Sequence, residues 1–409
     1  MNRRETSDRA LDARSRWATR ATTMIVLLLA SSAVHAAVVE VKNGDQFRQA
    51  IAQARPGAVI ALAPGSYPGG MRFANLQGTA AKPIVICAKD PKDRPVFSGG
   101  ANGMQLSDPA HVTLRDLVFQ GATHNGLNID DAATIDTPSH HVSIINVLIK
   151  DVALNGNYDG IKLSGVDNVL VSGCAFENWG GQGIDMVGCH DGVIEDCTFN
   201  SGSDDANSNA VQCKGGTRGV TVRRCRFEHT GSRAINLGGS TGLEHFRPQP
   251  PAGYEAKGIV VEHCVFIGTQ VPVSFVGVDG ATARFNTLYG PKKWAVRILQ
   301  ENTAPGFVPS RNGAFTDNII VFRSNEMKVA VSVGGGTSPE TFTFARNWWF
   351  CIDNPGASRP NLPNKEIDPV IGIDPQFINA AMGGLKLKAG SPAVGVGAFA
   401  GRSAESTSR

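Results

Sequence analysis

Three sets of polar residues recur through the middle of the 409-residue chain at intervals that suggest deliberate alignment. Lys162, Asp185, Gln212 and Asn236 each follow an aliphatic residue in the short runs Gly160-Ile-Lys-Leu163, Gly183-Ile-Asp-Met186, Ala210-Val-Gln-Cys213 and Ala234-Ile-Asn-Leu237. If Ile161, Ile184, Val211 and Ile235 face inward, their neighbours face outward and form a column, extended by Asn128 on one side and by Ser274 and Arg297 on the other. A second outward column holds Asp130, Ser164 and Lys214, and a third holds Asp159, Gln182, Asn209 and Arg233. Ammonium, guanidinium, amide and carboxylate groups on one face suit a sugar polymer that offers hydroxyls and carboxylates. The longest insertion, from Gly238 to Ala256, carries His245, Phe246, Arg247 and Tyr254, and Lys292-Lys-Trp294 precedes Arg297. Long loops beside a rigid face are natural cleft walls. Phe246 and Trp294 are candidates to stack on sugar rings or to pack the loops. Asp159, Asp185, Asp204 and Asp205 are candidates for a hydrolytic carboxylate pair, which needs about 5–9.5 Å between carboxyls.

The elements that must position these groups follow from an internal repeat. Segments opening at His111, His141, Asn168, Asp191, Arg218, Lys257, Gly280, Asn312 and Glu340 each begin with an alternating strand and continue to a small residue. That residue is in turn Asp116, Asn146, Cys174, Cys197, Cys225, Cys264, Asn286, Asn318 and Asn347, at spacings of 22 to 39 residues. A second strand follows a Gly- or Asn-rich turn, and no amphipathic stretch of helical length separates the strands. The pattern predicts an all-β parallel β-helix, a single-chain solenoid of about ten or more turns.

Four parts follow. Residues 37–110 are read as an N-terminal cap and first turns, with Asp45 capping a helix whose stripe is Phe47, Ala50, Ile51 and Ala54. Residues 111–353 carry the repeats and the groove, and 354–409 form a Pro-rich tail expected to close the other end. Residues 1–36 read as a signal peptide: Arg14, Arg16 and Arg20 precede the apolar run Met24–Ala30, and small residues lead to a cut after Ala36. That apolar run is far shorter than the roughly 20 residues of a membrane span. The expected product is a secreted or periplasmic monomer without a membrane span.

The chain has 39 basic and 36 acidic residues. Six arginines against Glu5, Asp8 and Asp12 in the leader account for the whole excess, so nucleic-acid binding is not expected. The cysteines of the repeat are expected to be buried thiols, because a metal cluster would need a CxxC pair that is absent. His140-His141 and His190 sit where turns begin, and the histidines give no zinc motif.

The chain resembles the pectate-lyase-like secreted β-helix proteins, including an N-terminal stretch similar to Phe47-Arg-Gln-Ala-Ile-Ala-Gln-Ala-Arg-Pro-Gly57 and a distal Gly-Ser-Pro-Ala. The resemblance implies a right-handed coil. Within that group it is most similar to the polysaccharide lyases that include chondroitinase B and alginate lyases, where a strand ending in Lys is followed one turn later by one ending in Arg-His-Gly. Asn209-Ala-Val-Gln-Cys-Lys214 is similar to the first element, which implies Lys214 as the general base. In the second, Gly238 stands where the family has Arg, and Asn207 and Asn209 replace acidic calcium ligands.

β-Elimination at a uronate needs a base for a weakly acidic proton and a cation to neutralise the adjacent carboxylate. Lys214 and Arg233 are the expected catalytic pair, with Lys162 nearby adding positive charge that would depress the Lys214 pKa. Arg233, Arg247 or Arg297 could replace the missing Arg. Lys162, Gln212, Asn236, Arg247, Trp294 and Arg297 are the expected substrate contacts. Asp185, Asp205, Asn207 and Asn209 are the candidate oxygen ligands for calcium. The expected partner is an acidic polysaccharide. The alternatives are a glycoside hydrolase, epimerase-like chemistry, and a non-catalytic carbohydrate-binding or surface protein.

Overall fold

The structure, a computed structural model, describes residues 38–152, 154, 157–202 and 209–401. The leader, Asp204, Asp205 and Asn207 lie outside them.

Each repeat gives one short strand to each of three parallel sheets. In one turn these are Ser139–Ile145, Leu148–Val152 and Ile161–Ser164; in the next they are Leu170–Ser172, Ala175–Trp179 and Gln182–Val187. The first sheet runs from Val38–Val41 to Thr343–Ala345, the second from Ser66–Pro68 to Val370–Ile371, and the third from Met71–Ala74 to Val331–Val333. The third sheet has ten strands among the described residues, matching the expected number of turns. No helix of the described residues is long and apolar enough to cross a membrane.

The alternation seen in the sequence sets the core. Leu127, Ile161, Ile184, Val211, Ile235, Val273 and Val296 are register partners in succession, all fully buried. Each such side chain contributes on the order of 2 kcal/mol relative to an exposed one. On the second sheet Phe176, Phe199, Phe227 and Phe266 stack with centroids 4.6, 4.9 and 4.8 Å apart. That spacing is the strand separation itself, so a slipped turn would break ring packing and ladder together.

The small-residue column is partly as expected. Asn286 donates its backbone N–H and Nδ2 to Asn318 Oδ1 at 2.9 and 3.0 Å, and Asn318 does the same to Asn347 Oδ1 at 3.0 and 2.9 Å. Cysteine substitutes by the same geometry. Asn286 Nδ2 reaches Val261 O at 3.0 Å, and the Cys264 thiol reaches the equivalent Val222 O at 3.7 Å. All eight cysteines are buried and unbridged. Asp116 and Asn146, however, sit one residue outside the column, where Leu117 and Val147 point inward. Both take left-handed backbone, φ 60° and 50°, a conformation Asp and Asn adopt more readily than other side chains. Asn146 Nδ2 donates to Asp116 Oδ1 there at 2.6 Å.

The helix Gly44–Ala52 covers the N-terminal end with Phe47, Ala50 and Ile51 buried. Its cap is Asn43, whose side chain accepts from the Gln46 N–H, while Asp45 lies in the first turn and pairs with Arg48 at 2.7 Å. The C-terminal tail divides in two. Glu366 ends the asparagine ladder, accepting from Asn347 Nδ2 at 2.7 Å and Trp349 Nε1 at 2.9 Å. Beyond it the chain turns back along the outside of the second sheet, where Phe377, Leu385, Ala393 and Ala398 pack with Val265, Ile319, Val321 and Trp348. The tail therefore covers a side of the coil as well as its end.

Candidate functional site

The register of the third sheet places Asn128, Lys162, Asp185, Gln212, Asn236, Ser274 and Arg297 in one continuous column. Val187 pairs with Lys214, and Asn209 pairs with Gln182 and Arg233, so the other two columns also form. The middle of this face is not an open trough. Asp185, Gln212, Asn236 and Ser274 are 1, 6, 1 and 0% exposed. Gln212 spends an amide hydrogen on Gly238 O at 3.2 Å.

Charge concentrates at two separated places. The first is built on Asp185. Its Oδ2 contacts Lys162 Nζ directly and lies 3.3 Å from Lys214 Nζ. Lys162 Nζ also lies 3.6 Å from Asp159 Oδ2. Two lysine side chains therefore flank the buried Asp185, with Asp159 behind Lys162. Asp159 accepts the Gln182 N–H at 2.9 Å, but burial, and then the charge of Asp185, push its pKa up to about 7. Burial alone would lower Lys162, yet Asp185 and Asp159 outweigh it and hold the ammonium above its ordinary pKa. Below neutrality Asp159 holds its proton, while Lys162 stays an ammonium. The nearest charge to Lys214 is thus a carboxylate, not the cationic surroundings expected.

Lys162 and Lys214 open into a cleft of about 760 Å³. Ser164 and Val187 share its floor, the segment after Leu127–Asp130 forms one wall, and residues 240–247 form the other. The insertion is held by Glu255, fully buried, which accepts from Gly215 N at 3.0 Å, Thr241 N at 2.9 Å, Thr241 Oγ1 at 2.7 Å and Asn302 Nδ2 at 3.0 Å. Phe246 is buried edge-on to Phe307, centroids 5.3 Å apart, so it packs the loop. Arg247 lines the cleft but its guanidinium is taken up by Asp167, at 2.7 and 2.6 Å, and by Gly188 O at 2.8 Å.

The second concentration lies further along the coil. Arg233 Nη2 is 3.4 Å from Glu301, and Arg297 lies 4.7 Å from the Trp294 ring centroid, with Lys293 Nζ at 4.5 Å. Burial and the neighbouring Arg233 lower the Arg297 pKa. The Trp294 ring already carries two cations. Lys162 and Arg297 are five ladder steps apart, roughly 24 Å. Arg233 pairs with Asn209, at the opposite end of the strand Asn209–Lys214 from Lys214, roughly 16 Å along it. The structure therefore unites Lys162, Asp185 and Lys214 but sets Arg233, Arg297 and Trp294 apart from them.

Gly238, where an arginine would complete the sequence pattern, cannot carry a side chain. Its φ is 99°, and a Cβ there would lie 1.7 Å from Val276 O. Of the expected calcium ligands, Asp185 contacts Lys162 and Lys214, Asn209 lies in a different column, and Asp205 and Asn207 fall outside the described residues. Glu255 and Asp131 went unnoticed in the sequence as site-forming groups, whereas Asp130 was placed in the second outward column. Glu255 carries no local signal, since its partners are 14 to 47 residues away.

Comparison with known proteins agrees with the coiled fold. Residues 96–347 match the family described as "Right handed beta helix region". Among solved structures, an alginate lyase from Paenibacillus sp. str. FPU-7 is 17% identical with a TM-score of 0.53, covering 74% of this chain and 99% of its own. The pectate lyase Pel9A is 13% identical with a TM-score of 0.54, covering 88% and 92%. A rhamnogalacturonan lyase is 14% identical with a TM-score of 0.55, covering 82% and 85%. At these identities the likeness is one of fold. No curated protein matches the chain in sequence.

Proposed function

We propose, from the premise that this chain belongs to the right-handed β-helix family, that it is a polysaccharide lyase cleaving an acidic, uronate-containing polymer by β-elimination, with Lys214 as the base. The observation that carries this reading is the pair Lys162 and Lys214, held by Asp185 on the floor of a walled cleft. The Lys162 ammonium on this floor attracts a uronate carboxylate. Lys162 is the cation placed to neutralise it, since Gly238 bars an arginine, Arg247 is bound to Asp167, and Arg233 and Arg297 lie elsewhere along the coil. The unprotonated Lys214 amine then removes the proton next to the carboxylate, the bond from C4 to the bridging oxygen breaks, and a C4=C5 double bond forms. The proton ends on Lys214 and the departing oxygen takes one from solvent. No step is routed through calcium. The names of the three similar structures supply the substrates to try first.

Incubation with alginate, pectate and rhamnogalacturonan, with and without calcium, is expected to raise ultraviolet absorbance from unsaturated chain ends. Lys214→Ala should lower the rate by about 10²–10⁴-fold, the usual worth of a general base, with the fold intact by circular dichroism. New reducing ends without that absorbance would replace this reading with hydrolysis, and saccharide binding without turnover would replace it with a binding protein. For the hydrolytic reading, Asp159 and Asp185, at 3 and 1% exposure, lie beneath the lysines, and Asp204 and Asp205 fall outside the described residues.

A further inference from the structure

Three histidines that look scattered in the sequence converge on the first sheet, and none of them lines the cleft. His111 lies in the strand Ala110–Arg115, and His140 and His141 lie in Ser139–Ile145, one turn later. The register pairs Ala110 with His140 and Val112 with Val142, which sets His111 opposite His141. Their rings stack at 4.5 Å. Adjacent residues of a regular strand point to opposite faces, so His140 and His141 should diverge. They do not, because His111 and His141 both have left-handed backbone, φ 50° and 54°. That departure turns His141 toward its neighbour, and His140 Nδ1 comes to 3.0 Å from His141 Nδ1. The His140 ring stands edge-on to both others, at 5.2 and 5.1 Å. One ligand nitrogen from each of the three lies within 4.8 Å of the others.

We infer that His111, His140 and His141 bind one divalent transition-metal ion, joining two successive turns of the coil. A set of three imidazoles suits zinc, copper or nickel better than magnesium or calcium. Tetrahedral zinc, with Zn–N of about 2.0–2.1 Å, needs nitrogens roughly 3.3 Å apart, so side-chain rotation of an ångström or so closes the site. His111 and His140 are half-buried and His141 is exposed, which leaves room for that rotation and an open fourth position for water. This site is independent of the proposed lyase chemistry.

Zinc chloride titrated calorimetrically into the untagged chain is expected to bind at one equivalent and to raise the melting temperature. The variants His111→Asn and His141→Asn keep a residue that accepts left-handed backbone, and His140→Gln keeps an ordinary strand residue. Each should weaken zinc binding by more than about tenfold and abolish the thermal shift, with an unchanged far-ultraviolet spectrum. Absence of a one-equivalent site in the wild type, or equal binding by folded variants, would overturn the inference. Should one variant fail to fold, the other two decide.

Discussion

At the scale of single residues, Asp159 reports how closely charge is balanced beneath the cleft. Its pKa stands at about 7 in the folded protein against an ordinary 3.8. Between those values the folded state keeps a proton that the unfolded chain releases, so stability must fall as pH rises through that window. Asp159→Asn removes the titration. Urea unfolding at about pH 4.5 and pH 8 is expected to show the wild type losing on the order of a few kcal/mol that the variant does not lose. Parallel profiles would show that Asp159 ionises normally. Gly238 acts at the same scale by exclusion. Its backbone conformation and the carbonyl of Val276 leave no space for the guanidinium that the sequence pattern calls for. Under the proposed lyase reading, charge neutralisation therefore falls to Lys162, three turns back along the coil and lining the cleft.

At the scale of the element, the asparagine ladder joins turns that hydrophobic burial alone would leave free to slide. Asn318 Oδ1 receives two donors from Asn286, and Asn318 Nδ2 reaches Ala283 O at 3.1 Å. Asn318→Ala leaves buried donors without acceptors and should cost about 2–4 kcal/mol in denaturant unfolding, whereas Cys, which fills this column in four other turns, should cost less. Such ladders were legible in the sequence because the period of two and the phase of the inward aliphatics fix which residues share a column. Lys162, Asp185 and Lys214 came together for that reason. The depth of the column was not legible, since exposure depends on what the loops do above it. The phase itself slipped at Asp116 and Asn146, where residues that tolerate left-handed backbone look, by type, like inward ladder members. The same backbone reversal hid the histidine cluster, because His140 and His141 converge only where strand alternation fails. Glu255 was invisible for another reason: a buried carboxylate gathering the ends of an insertion has no local periodicity to announce it.

At the scale of the whole molecule, the strands of each turn pair only with those of adjacent turns, so the ladder's share of stability is close to a sum of turn and interface contributions, and opening can begin locally. The cysteines give that behaviour a readout. Cys174, Cys197, Cys225 and Cys264 stand in successive turns, each sealed in the interior. Burial holds Cys174, Cys197 and Cys225 well above the ordinary thiol range and pushes Cys189 up to about 12. A thiol in that state is a poor nucleophile until its own turn opens. Alkylation under native conditions, followed by peptide mass spectrometry, should therefore modify these positions at distinct rates, each recording how often one rung of the scaffold breathes. A single common rate would mean that the rungs let go together. The same file of sulfurs, with no cross-link to make, frees the folding of this chain from any dependence on the oxidising power of its surroundings.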